Sequence, residues 1–265
     1  MIIRGLETAA NGMQALIDQN DSTANNVANV NTVGFKKQSL IFQNIYNSNV
    51  IQKDSQTDEN KSVGELSVGS RVQKLTYDFS QGTLDKTGNP FDLAIQGDGF
   101  FKIQSNDGDI SYTRNGSFTM NNNGELVTKD GEYVLDVRNR KIKIKTNDVV
   151  MHSLNDIIIN EDGQIELNNE GNRITMQKIG IFDFSNKEDM ICIGGSQFKP
   201  IDPNTNKELK AEKFSVEQGS LEMSNANTVN EMIKTINTSR NYEALSKVVK
   251  SSGDTLTTAI KVGRI

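Results

Sequence analysis

The sequence has no tryptophan, one cysteine, one histidine and three prolines in 265 residues, and each scarcity removes a kind of chemistry. Cys192 alone cannot form an intrachain disulfide, and Cys192 with His152 cannot supply the usual zinc ligand set. No stretch approaches the ~20 apolar residues a membrane span requires. The first residues, MIIRGLETAANGMQALIDQ, lack both a continuous apolar core and a small-residue cleavage site, so no cleaved signal peptide is read there. Positive charge is in deficit. With a net charge of −5, the chain offers no basic field to attract nucleic acid or anionic lipid. The mean hydropathy of −0.53 is that of a water-exposed protein with a modest core.

Reactive constellations are equally sparse. Gly97-Asp98-Gly99-Phe100 lacks the third glycine of a phosphate loop and leads into FFKIQ, which reads as a strand; a hairpin or bulge is expected. Asp107-Gly108-Asp109 and Glu161-Asp162-Gly163 do not fit a twelve-residue calcium loop and read as turns. His152 has no neighbouring acid or nucleophile, and neither GxSxG nor HExxH occurs. Cys192, in MICIGG, reads as a small buried strand residue. A carboxylate pair for glycoside hydrolysis cannot be placed from sequence among 34 acidic residues and stays open. The expectation is a non-enzyme with no catalytic residue, cofactor or metal.

What is present is periodic. Leu6, Ala9, Ala10, Met13, Leu16, Ile17, Ala24 and Val27 recur at spacings of three and four, which predicts an N-terminal helix with a narrow apolar seam. Gly5 and Gly12 each weaken that helix by about 1 kcal/mol relative to alanine, so it needs a partner. From Val229 the series Met232, Ile233, Ile236, Leu245, Val248, Val249, Leu256 and Ile260 predicts a second, longer helix, with Thr228 and Glu231 as its capping box. Residues 1–30 carry a net −2 and residues 224–265 a net +3, which favours pairing of the two ends.

Between the helices the period falls to two. FDLAI, GFFKI, SFTM, GELVT, EYVLDV, DIIIN and QIELN are separated by Asp-Gly or Asn-Gly pairs at 98–99, 107–108, 115–116, 123–124, 130–131 and 162–163. Such pairs favour type I′ hairpin turns, so an all-β middle follows. Residues 46–70 are polar and nearly free of aromatics, and read as a flexible or extended connector. The fold class is therefore mixed α and β: an all-β central domain of hairpins inserted between N- and C-terminal helices that pair as a coiled coil. Its expected divisions are an N-terminal helix at 1–35, a polar connector at 36–70, a β-rich domain at 71–223 and a C-terminal helix at 224–265.

The asparagines are concentrated where helix should give way to β structure. Asn25, Asn26, Asn29 and Asn31 precede Gly34 and Phe35, and Asn225 and Asn227 precede the second helix. An asparagine amide both donates and accepts, which suits it to backbone groups exposed at such a break.

Ser22–Lys36, STANNVANVNTVGFK, resembles the N-terminal signature of the bacterial flagellar basal-body rod and hook proteins. Phe79–Leu84 (FSQGTL), Asn89–Phe101 (NPFDLAIQGDGFF), Tyr112–Phe118 (YTRNGSF), Gln218–Asn227 (QGSLEMSNAN) and Arg240–Glu243 (RNYE) continue the resemblance in order, leaving 46–70 and 136–215 least matched. Length and the single β insert are nearer the distal rod members than the much larger hook protein, and a proximal rod paralogue stays open.

The resemblance implies a structural subunit of the flagellar basal body, self-assembling into a hollow helical drive shaft. Leu6, Met13, Leu16, Ile17, Val27, Val229, Met232, Ile233 and Ile236 would form its assembly seam. Asn25, Asn26, Asn29, Asn31, Gly34, Phe35, Asn225 and Asn227 would set the angle between inner tube and outer layer. Implied partners are further copies of the chain, other rod proteins, hook or hook-base subunits and the flagellar type III export apparatus, which takes uncleaved chains. A surrounding ring or the peptidoglycan is left open as a neighbour; nucleic acid and membrane insertion are not expected. The alternatives are a peptidoglycan-binding or wall-active module and a transient assembly cap.

Overall fold

The computed structural model describes residues 2–53, 60–144, 156–169 and 172–263. His152 lies outside the described residues. The chain divides into two compact units, one made of Met1–Val27, Gln38–Leu75 and Asn227–Ile265, the other of Ala28–Lys37 and Thr76–Ala226.

The first unit holds helix α1 (Ile2–Ala28), strands β1 (Gln38–Lys53) and β2 (Asn60–Tyr77), and helix α2 (Thr228–Val262). β1 and β2 pair as a two-stranded sheet, so the polar segment read as a flexible or extended connector has an extended backbone over its described residues. Strand pairing lets such a sequence satisfy its peptide groups without a core of its own.

α2 runs unbroken through its polar middle and Gly253. Its threonines accommodate the helix by returning their hydroxyls to the carbonyl four residues back, as Thr235, Thr255, Thr257 and Thr258 all do. The cap lies one residue earlier than the expected capping box. Asn227 is the N-cap, its side chain accepting from the Asn230 N–H at 3.1 Å, and Thr228 is the first helical residue. Among the described residues no helix is long and apolar enough to cross a membrane.

The two helices touch where Gly12 faces Leu245, whose Cδ1 would lie 3.2 Å from a methyl group at Gly12. What the helices bury is not the apolar stripe. α1 buries Ala9, Ala15, Thr23 and Asn26; α2 buries Glu231 and Thr238. Val229, Met232, Ile233 and Ile236 are each more than half exposed, and Ile17 of α1 is also exposed. Among the described residues, those four α2 side chains are not part of the buried core.

The second unit is all β. Its strands are β3 (Leu84–Lys86), β4 (Leu93–Gly97), β5 (Phe100–Gln104), β6 (Ile110–Thr113), β7 (Phe118–Met120), β8 (Leu126–Thr128) and β9 (Tyr133–Val134). They continue as β10 (Ile157–Ile159), β11 (Gln164–Asn169), β12 (Asn172–Lys178), β13 (Ile181–Phe184), β14 (Met190–Gly194), β15 (Gln197–Pro200), β16 (Glu208–Lys210), β17 (Phe214–Gln218) and β18 (Ser220–Glu222). The largest sheet runs β14-β15-β6-β5-β9-β8-β7, with β13 paired to β5 and β16 paired to β13; β10-β11-β12 form a meander. Two further antiparallel pairs join distant parts of the chain, β17 with β4 and β18 with β3.

Alternation along β5 builds two cores at once. Phe101 and Ile103 enter an aliphatic cluster with Leu93, Ile95, Leu126, Ile165 and Val216. Phe100 points to the other side, into an aromatic cluster with Tyr112, Phe182, Phe184 and Phe198, where Phe79 meets Phe198 edge-on at 5.1 Å. Cys192 packs half-buried against this second cluster rather than inside it.

Four of the expected Asp-Gly and Asn-Gly pairs form turns of one kind, and not the expected type I′, although Gly195-Ser196, between β14 and β15, does place both central residues at positive φ. In loops starting at Ser105, Asn121, Thr128 and Asn160, the first carbonyl accepts from a glycine three residues on (Gly108, Gly124, Gly131, Gly163), and the first N–H donates to the carbonyl one residue beyond. Only that glycine has positive φ, between 75° and 92°. These are three-residue loops closed by a bulged glycine. A fifth copy starts at Asp136 and uses Asn139, at φ 60°, in the glycine's place.

The remaining two pairs are not turns of this kind. Gly97-Asp98-Gly99, read as a hairpin or bulge, is a corner at which the chain leaves the β4–β17 pair for the large sheet. Both of its glycines have positive φ. Gly116 is a close approach: a methyl there would come 1.7 Å from the Leu93 carbonyl oxygen.

Candidate functional site

Residues 25–38 and 222–231 hold most of the expected junction residues, and they divide between the two units. In the helical unit Asn26 is buried near the end of α1. Its amide oxygen accepts the Gln38 N–H at 2.8 Å while its amide nitrogen donates to the Gln38 carbonyl at 2.9 Å, so the side chain mimics one rung of a β-ladder. The same nitrogen donates to the Glu231 carboxylate at 3.2 Å across 205 residues of sequence. Glu231 also holds Lys234 at 2.7 Å. One amide thus ties the end of α1, the start of β1 and the first turn of α2.

In the β unit the corresponding position belongs to Asn225. Its oxygen accepts the Lys37 N–H at 2.8 Å, and its nitrogen donates to the carbonyls of Asp78 at 2.7 Å and Ser80 at 3.1 Å. Asn227, as described, caps α2. Asn29 accepts from the Thr32 hydroxyl at 3.1 Å and helps close the turn that follows α1. Asn25 and Asn31 are exposed. Asn26 and Asn225 each bridge segments far apart in sequence.

Gly34 and Phe35 are buried. Gly34 has φ 67°, and a methyl there would come 2.3 Å from the Asn115 nitrogen, so backbone crosses backbone at a point only glycine permits. Its N–H donates to the Glu222 carbonyl at 2.7 Å.

Three charges accompany this crossing, and composition gave no hint of them. Lys36 Nζ lies 2.6 Å from Glu222 Oε1, with both side chains fully buried, and also donates to the Ser80 carbonyl at 2.7 Å. Arg114, equally buried, reaches Glu222 Oε2 at 3.2 Å and the Gly97 carbonyl at 2.8 Å, while its Nε has no hydrogen-bond partner. The Gly82 N–H completes the shell of the carboxylate at 2.9 Å. Burial pulls the Lys36 ammonium below its ordinary pKa, and the attraction of Glu222 opposes that pull. Lys36, Arg114 and Glu222 all stand within the motifs that carry the resemblance, but their contacts span 186 and 108 residues, which no local pattern discloses.

The expected assembly seam is only partly gathered. Leu16 and Ile17 line a cleft of about 290 Å³ with Asn20, Thr238, Ser239, Tyr242 and Glu243, so α1 and α2 share a groove. Leu6, Met13 and Val27 are half-buried on α1. Val229, Met232, Ile233 and Ile236 take no part in that groove.

Among the described residues, then, the buried polar groups of both junctions hold chain segments together, and the unfilled surface is an apolar helix face: features of a structural, assembling protein. Known proteins agree. The family model described as "Flagella basal body rod protein" matches residues 6–36, that for the "Flagellar hook protein FlgE/F/G D1 domain" matches 94–167, and that for the "Flagellar basal body rod FlgEFG protein C-terminal" matches 217–262. The Bacillus subtilis flagellar basal-body rod protein FlgG is 30% identical over 99% of this chain and 100% of its own. FlgG of Borreliella burgdorferi is 33% identical, covering 96% of this chain and 97% of its own. FlgF of Mesorhizobium japonicum is 31% identical, covering 97% and 96%. The chain belongs to the flagellar basal-body rod protein family.

Proposed function

We propose that this chain is a structural subunit of the flagellar basal-body rod, polymerising head to tail into a hollow helical shaft that transmits torque from motor to hook. The observation that carries the reading is the outward apolar stripe of α2. Val229, Met232, Ile233 and Ile236 repeat at helical spacing and are each more than half exposed. Four such side chains are worth about 1.5–3 kcal/mol each when fully buried, and a contact that does not close on itself propagates.

In this reading α1 and α2 pair as a coiled coil in an inner tube, with Leu6, Met13, Leu16, Ile17 and Val27 contributing from α1, and the β unit forms the outer layer. The junction asparagines, with Gly34 and Phe35, fix the angle between layers. The β1–β2 segment stiffens the polymer against its neighbours. The partners are further copies, other rod proteins and hook or hook-base subunits, and delivery is by the flagellar type III export apparatus. A distal position is favoured over a proximal one on length and the single β insert, while relatives named FlgG and FlgF alike align over nearly their whole length.

Sedimentation velocity with circular dichroism over a concentration series tests this. The full chain is expected to form long assemblies, whereas Met232→Lys and Ile236→Lys stay monomeric with the dilute spectrum unchanged. Variants that assemble like the parent would remove the α2 stripe from the interface.

A further inference from the structure

We infer that Glu222 is a late-closing latch: Lys36 and Arg114 hold their part of the β unit open in folding until this carboxylate, near the unit's C-terminal end, arrives. The inference concerns the single chain and does not depend on polymerisation.

Among the described residues, Glu222 is the one carboxylate in contact with both Lys36 and Arg114. All three side chains are buried. Without Glu222, burial of the site would enclose two cations with carbonyl dipoles alone, and an uncompensated buried charge is strongly disfavoured. The two cations therefore keep that region hydrated and open while the carboxylate is missing.

Topology makes the carboxylate late. The five bulged loops each close over four residues, and β5–β6, β7–β8 and β11–β12 are hairpins of neighbouring strands. Glu222 instead reaches its place only when β17 pairs with β4 and β18 with β3, at separations above one hundred residues. Contacts of such separation follow local ones, because their closure entropy is lost before any contact compensates for it. Several segments then meet at Glu222: Lys36, the Gly82 N–H and Arg114 on its carboxylate and the Gly34 N–H on its main-chain carbonyl, with the Ser80 carbonyl held through Lys36. Gly82 permits that meeting, since a methyl there would come 2.0 Å from the Met223 carbonyl oxygen.

Pulse-labelled hydrogen exchange during refolding of the dilute full chain, read by mass spectrometry, tests the order. The amides of Gly108, Gly124 and Gly131 are expected to gain protection before those of Gly34, Gly82 and Met223. Simultaneous or reversed protection would overturn the latch. Glu222→Gln keeps shape but removes the charge; it is expected to speed unfolding on the order of a hundredfold while changing the refolding rate of the hairpin amides less than about twofold. Unfolding within about threefold of the parent, or refolding slowed as much as unfolding is hastened, would refute it. Should Glu222→Gln fail to fold, Lys36→Gln leaves the Arg114–Glu222 pair intact and is held to the same criteria.

Discussion

Replacement of Asn26 by aspartate keeps the size of the side chain and removes its donors, which makes it a sharp probe of the helical unit. The new carboxylate still accepts the Gln38 N–H, but it can no longer donate to the Gln38 carbonyl, and it faces the Glu231 carboxylate across a distance now 3.2 Å. One lost buried hydrogen bond and one unsatisfied carbonyl cost about 1–3 kcal/mol, and the like-charge contact adds a cost of similar order. A total near 3–5 kcal/mol is a large part of a unit's stability. Helical ellipticity against urea should show the loss, and the Gln38 amide should exchange correspondingly faster. Adding Glu231→Gln supplies an amide donor and is expected to restore about 1 kcal/mol or more, a coupling visible only in the double variant. Asn26→Asp with the stability and Gln38 exchange of the parent would show that this amide does not join α1, β1 and α2.

Three other outcomes follow from the same geometry. Asn227→Ala should cost about 1 kcal/mol through loss of the cap on α2, measured as a drop in thermal stability of the helical signal. Gly116→Ala should destabilise the β unit by more than about 3 kcal/mol, since relief of a 1.7 Å contact with the Leu93 carbonyl requires strand displacement; a normal melting temperature would contradict the close approach. Asp136 is subject to burial, which raises its pKa, but hydrogen bonds from Arg140 and Arg138 prevail and hold it below the ordinary 3.8. A lowered carboxylate pKa contributes stability that is fully present above the unfolded value and lost as pH falls through the folded one. Asp136→Asn should therefore flatten the acid side of the stability profile below pH ~3.8, with little change in its slope at neutral pH.

How far the sequence disclosed this structure depends on the range of the interaction that settles each feature. α1 and α2 are legible because a 3.6-residue period is local, and the strands because alternation is. The positions of the turn glycines were legible too, but not their geometry: a bulged three-residue loop and a type I′ turn draw on the same Asn-Gly and Asp-Gly pairs. The cap at Asn227 was missed by one residue, because Thr228 and Glu231 satisfy the capping pattern while Glu231 is drawn away to Asn26 and Lys234. Asn26 and Asn225 were singled out by their setting, although nothing nearby names Gln38, Glu231 or Lys37 as their partners. The charge cluster on Glu222 was invisible for the same reason. The α2 stripe was read as apolar, but whether it is covered within the chain or by a neighbour was not legible, because periodicity reports a face and not what lies against it.

The five bulged loops carry one more consequence. Each is closed by its own backbone pair and a single residue at positive φ, so its strands take their register from four local residues. Sequence at the tips is thereby uncoupled from sequence in the core. Such a layout lets lineages vary the side chains at the tips, or an experimenter replace the exposed Lys129 or Asp130 by a residue that carries a fluorophore, while the pairing beneath stays in step.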